Sequence, residues 1–231
     1  MGSYGGSQTW YSTEQENTDK RLHRFGCGVI AVGDILLYLD REHHFSSDLI
    51  QNLCYPQNNF SQDVYLDYIR FLNRTYIHVL PRFGTFIPGL IVALNRYFIR
   101  YSIPIRARYL FFSTKNSMLH KLQNMLGDNL PVILCIGANF PCLWGKKGVT
   151  FYQPESSDKG QRYVPSGNNH VNRHFVTITG ILYPDSPEES VMLEISSWGD
   201  KYYINYDELR HYILHDSLQG ITTIIQLRKK R

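Results

Sequence analysis

The sequence predicts an α+β fold, with helices in the first half and an antiparallel sheet in the second. Three observations carry that reading. Apolar residues in the first half recur at helical spacing, most clearly Val64, Tyr65, Tyr68, Ile69 and Leu72. From His174 onwards the pattern alternates along short runs rich in Val, Ile, Thr and Tyr. Short connections marked by Pro184, Asp185 and Pro187 join these runs, too short for the crossover that a parallel pair needs.

Residues 1–24 are polar and glycine-rich at the start, and predict an extended N-terminal arm; residues 25–231 predict a single domain. That domain opens on Phe25-Gly26-Cys27-Gly28. The apolar run from Val29 to Leu39 holds no proline and predicts a buried helix headed by Cys27. Ser46-Ser47-Asp48 signals a short helix over Leu49 to Cys54, closed by Pro56, and Ser61-Gln62-Asp63 caps a longer one from Val64 to about Ile77. Pro88-Gly89 opens a helix over Leu90 to Tyr101, stopped ahead of Pro104.

A strand over Ile105 to Phe112, a helix over Lys115 to Leu126 and a buried strand over Pro131 to Ile136 follow. Residues 138–172 predict a long loop or hairpin that carries Trp144 and Tyr152 as a candidate lid. Strands are expected at His174 to Tyr183, Val191 to Ser197 and Lys201 to Tyr206. A helix from Asp207 to about His215 and a strand from Gly220 to Leu227 complete the chain.

Composition narrows the function classes. Hydrophobic residues at 43% describe a globular chain, and the 17 tyrosines serve either a core or a wide aromatic groove. The net charge of +4 is mild; its clearest cluster, Arg228-Lys229-Lys230-Arg231, is expected to fray into solvent, and the remaining charges are scattered. No nucleic-acid partner is therefore expected. No run of apolar residues is long enough to span a bilayer, so no membrane partner is expected either. Cysteines at 27, 54, 135 and 142 are too irregular for a disulfide framework and fit a reducing compartment. With no signal peptide visible, the expected location is cytoplasmic.

The chemistry centres on Cys27. A cysteine at a helix N-terminus has the positive end of the dipole at its sulfur, which favours the nucleophilic thiolate. Such a nucleophile needs a base and a third group to orient that base. His174, at the head of an alternating strand, is the candidate base, and the third group is expected from the neighbouring strand, Glu194-Ile195-Ser196-Ser197-Trp198-Gly199-Asp200. A zinc reading of His170, His174, Cys135 and Cys142 is weaker, because six residues between the cysteines exceed the usual spacing. Neither a metal nor a cofactor is expected.

In the order of these parts the chain resembles the papain-like cysteine peptidase superfamily: a Gly-Cys-Gly turn heading a buried helix, a histidine starting a later strand, then a Ser-Trp-Gly turn. The stretches HFVTITG and SSWGDKYYINYDEL look more like bacterial members of its bacteriocin-leader peptidase-like branch than papain itself. The resemblance covers the start of the chain through the Cys27 helix and the end from His174; the helices and loops between match nothing in that pattern.

It implies a papain-like fold, with the nucleophile helix packed on the C-terminal sheet, Cys27 as nucleophile and His174 as general base. Trp198 would shield their contact from water. Where papain-like enzymes carry the asparagine that orients the histidine, this chain has Ser196, with Glu194 and Asp200 as rival orienters; strand alternation places Glu194 and Ser196 on one face. The family also uses a glutamine upstream of the nucleophile as an oxyanion donor. Here the position six before Cys27 is Arg21, and Gln15 and Asn17 are the other upstream candidates. Loss of one such donor costs about a hundred- to a thousandfold in turnover.

The expected function is a cysteine-dependent hydrolase, a peptidase acting on peptide or isopeptide bonds of a peptide or protein substrate through a Cys27 thioester. Amidase or acyltransferase chemistry uses the same machinery. A catalytically inactive peptide-binding module is the contrasting expectation, motivated by the serine at the orienter position and the absent glutamine.

Overall fold

Among the described residues the computed structural model has six α-helices and eight β-strands, every described pairing antiparallel, the α+β class the sequence pattern predicts. The structure describes residues 5–14, 17–45, 50–51, 61–110, 115–139, 147–157, 160–184, 186, 190–217 and 220–230. Gln15, Cys54, Cys142, Trp144 and the helix start at Ser46 lie outside the described residues. The helices are α1 (Asn17–Phe25), α2 (Cys27–His43), α3 (Gln62–Leu72), α4 (Ile87–Arg100), α5 (Lys115–Gly127) and α6 (Tyr206–His211). The strands are β1 (Ile105–Tyr109), β2 (Val132–Ile136), β3 (Tyr152–Ser157), β4 (Gly160–Pro165), β5 (His174–Leu182), β6 (Met192–Ser197), β7 (Asp200–Asn205) and β8 (Thr223–Lys229). The chain divides into two compact units. One is Gly5–Tyr109 with Ile225–Arg231, the other Leu110–Ile224.

The first unit is built on α2. Val29, Ile35, Leu36 and Leu39 are fully buried along it, and the Tyr68 hydroxyl on α3 donates to Gly33 O at 3.4 Å. Asp34 accepts from the Tyr65 hydroxyl at 2.7 Å and from Gly6 N; burial nevertheless pushes its carboxyl up to about 6. The Ser61 hydroxyl accepts from Val64 N, the cap the sequence predicts for α3. That helix stops at Leu72 instead of continuing to Ile77. Residues Asn73–Ile77 widen into a π turn, because the Asn73 side chain accepts from Val79 N at 2.9 Å and His78 turns left-handed at φ 53. Asn95 on α4 bonds both ways with Ala107, fastening β1 to the helix.

The arm is not extended throughout. Residues from Asn17 form α1, which meets α2 at 83°. Tertiary contacts explain why: Leu22 is fully buried, and Asp19, nearly so, accepts two bonds from the Arg70 guanidinium at 2.8 and 3.0 Å. A polar segment of low intrinsic hydrophobicity becomes helical because α3 supplies its partner.

In the second unit the strands lie in the order β2-β5-β6-β7-β3-β4. Every residue of β2 is buried, as its unbroken apolar run predicts. Met118, Leu122 and Met125 of α5 are buried where this helix packs against β2 and β5. The described residues of the 138–172 stretch include the β3–β4 hairpin and an isolated bridge between Val149 and Val171. The expected last helix ends at His211 and gives way to a π turn over Tyr212–Asp216, whose Tyr212 hydroxyl donates to Gly137 O at 2.8 Å.

Candidate active site

Cys27 is the first residue of α2. Gly26 caps it with no side chain, and Ile30 N donates to Gly26 O at 3.0 Å. Both flanking glycines are sterically required. A Cβ on Gly26 would stand 2.3 Å from Leu22 O, and one on Gly28 would stand 2.1 Å from Thr85 Oγ1. The abrupt turn from α1 and the close approach of Thr85 therefore select Gly-Cys-Gly here. Cys27 is a half-buried thiol at the positive end of a helix that runs to His43.

His174 heads β5 and is buried. Its Nε2 lies 2.8 Å from Ser197 Oγ, and its ring stacks on the Trp198 indole with centroids 4.5 Å apart and planes 23° from parallel. Phe151 approaches both rings, at 6.4 Å from His174 and 5.5 Å from Trp198, and Tyr202 meets Trp198 edge-on at 6.1 Å. Burial in this aromatic setting pushes the imidazole down to about 4. Burial thus favours the neutral imidazole over the cation.

The hydroxyl on the imidazole belongs to Ser197, not to the expected Ser196. Register gives the reason. Ser196 pairs with Thr177, one residue out of phase with His174 and Val176, so its side chain projects from the opposite sheet face, and Glu194 shares that face by alternation. There Glu194 accepts from Thr179 Oγ1 at 2.9 Å and pairs with Lys201 Nζ at 3.1 Å. Glu194 and Ser196 are therefore corrected as orienters. Asp200 stands opposite Ser197 across the two-residue turn of Trp198 and Gly199, whose φ values of 51 and 82 fit a tight hairpin, but it is exposed.

Of the upstream candidates, Asn17 is exposed at the first position of α1, and Arg21 donates from Nη2 to Thr18 Oγ1 at 3.4 Å. His170 is exposed, Cys135 is buried in β2, and no group of three or more His, Cys, Asp or Glu among the described residues is arranged to hold a metal. Sequence reasoning missed two residues at the histidine. Ser197 was within reach of counting strand faces from His174, whereas Phe151 sits outside any strand pattern and is placed by the Val149–Val171 bridge and by its own backbone bonds with Ser166 and Asn168.

No family model, curated protein or solved structure matches the chain.

Proposed function

We propose that this chain is a cysteine-dependent hydrolase on a papain-like arrangement, cleaving peptide or isopeptide bonds. In this reading the Cys27 thiol passes its proton to His174, and the sulfur attacks the substrate carbonyl. The leaving amine departs with that proton, and water then releases the acyl group from the thioester. The observation that supports it best is geometric: the His174 imidazole is held at Nε2 by Ser197 and covered by Trp198 on a Ser-Trp-Gly turn. For His174 to act as base through Nδ1, Nε2 must carry the hydrogen, and Ser197 Oγ then accepts it. Cys27 at the head of α2 supplies a thiol whose ionisation the helix dipole favours.

One observation favours a second reading, a peptide-binding module without turnover. The group on the imidazole is a hydroxyl, which carries no charge to stabilise an imidazolium as it forms.

Iodoacetamide alkylation of Cys27 against pH, in the wild type and in His174→Ala, separates the two. The enzyme reading expects a thiol that titrates below the ordinary value of about 8.5 and moves back towards it when the imidazole is removed. A thiol of ordinary reactivity, indifferent to His174→Ala, leaves the binding module.

A further inference from the structure

The last strand does not fray. Arg228 and Lys229 belong to β8, and Lys230 N donates to Pro104 O at 2.8 Å just past its end. The pairing with β1 changes what the basic residues can do. Along β1, Ile105 and Ala107 are buried while Arg106 and Arg108 are exposed. Register sets Arg106 opposite Arg228 and Arg108 opposite Gln226, so three guanidinium groups share one outer face of the ribbon.

Arg106, Arg108, Arg228, Lys229 and Lys230 line a concave pocket of about 350 Å³. Among the described residues, none of the five forms an ion pair. Like charges directly across a ribbon destabilise it, so this face is unfavourable until an anion neutralises it. Guanidinium forks match phosphate oxygens two at a time, and three arginines with Lys229 and Lys230 in the same pocket exceed what a single monovalent anion needs. The pocket is at the small end for ligand sites, and among the described residues no aromatic side chain lines it to stack a base.

We propose that the β1–β8 ribbon binds a compact anion carrying two or more phosphate groups, either free or as a lipid headgroup. The site is independent of Cys27 chemistry.

Calorimetric titration of the full chain with inorganic tripolyphosphate, at about 0.15 M ionic strength so that loose surface attraction is screened, tests it. One saturable site is expected, with sulfate bound at least about tenfold more weakly. Arg106→Gln and Arg228→Gln should each weaken tripolyphosphate by about tenfold, with the unliganded melting temperature unchanged or raised because a like-charge pair is relieved. Lost binding is thereby distinguished from lost folding.

Vesicles of phosphatidylcholine with and without phosphatidylinositol bisphosphate identify the source. Sedimentation with the phosphorylated vesicles, reversed by tripolyphosphate, points to a headgroup; tripolyphosphate binding without it points to a free anion. The proposal is overturned if tripolyphosphate shows no saturable binding or binds both variants like the wild type. A short DNA duplex that binds and that tripolyphosphate cannot displace overturns it as well.

Discussion

Ser197 Oγ lies 2.8 Å from His174 Nε2, while its neighbour Ser196 faces the other way, opposite Thr177. One residue of register decides which hydroxyl orients the imidazole. Ser197→Ala should therefore shift the His174 tautomer balance, read from imidazole nitrogen chemical shifts, at a stability cost of about 1 kcal/mol. Ser196→Ala should leave those shifts in place. Equal effects of the two substitutions would contradict the assignment.

The Trp198 indole stacks on the His174 ring, so it is the candidate shield against water. Because Trp198 already has φ 51, glycine fits its turn position without strain, so Trp198→Gly removes the indole while keeping the hairpin. The imidazole should then rise from about 4 towards its ordinary value near 6.5 as water reaches it. Proton NMR of the ring against pH reads this directly; an unmoved midpoint would assign the burial to other neighbours.

Two buried groups give stability opposite slopes in mildly acidic solution. His174 titrates near 4 in the fold and near 6.5 in the unfolded chain, so between these values the unfolded chain binds more protons and stability falls as pH falls. Asp34 titrates near 6 in the fold against 3.8 ordinarily, so over 3.8 to 6 the fold binds more protons and stability falls as pH rises. Each contributes on the order of 3 kcal/mol across its window. In urea unfolding the two contributions largely cancel between about pH 4 and 6, so Asp34→Asn should expose a rise of stability with pH there and His174→Phe a decline.

The turn at Cys27 is tested by its glycines. Gly28→Ala places a Cβ 2.1 Å from Thr85 Oγ1 and should cost about 3 kcal/mol by overpacking. Adding Thr85→Ala should recover roughly half or more of that loss, since the clash is with a side-chain atom. Gly26→Ala meets the backbone oxygen of Leu22 at 2.3 Å, so no second substitution relieves it. Denaturant midpoints of the single and double variants check all three expectations.

Much of this architecture is legible in local pattern. α2 and β2 follow from apolar runs without proline, α3 from a Ser61 cap and helical spacing, and β5 to β7 from alternation broken by turn residues. Each is settled by neighbours along the chain, and the candidate residues Cys27 and His174 stand where those elements begin. α1 is different. Its polar residues become helical because Asp19 meets Arg70, which no local window contains.

The sequence alone therefore determines the segregation of helix and sheet, the cysteine at a helix head and the histidine at a strand head, because helix caps and hydrophobic periods act over a few residues. Tertiary structure decides the rest. Strand register chooses Ser197 over Ser196, and the pairing of β1 with β8 turns a terminal basic run into one wall of a cationic pocket. Both depend on which residues of distant strands come opposite each other. That is fixed by burying one sheet face and hydrogen-bonding the ladder, not by any signal within either strand.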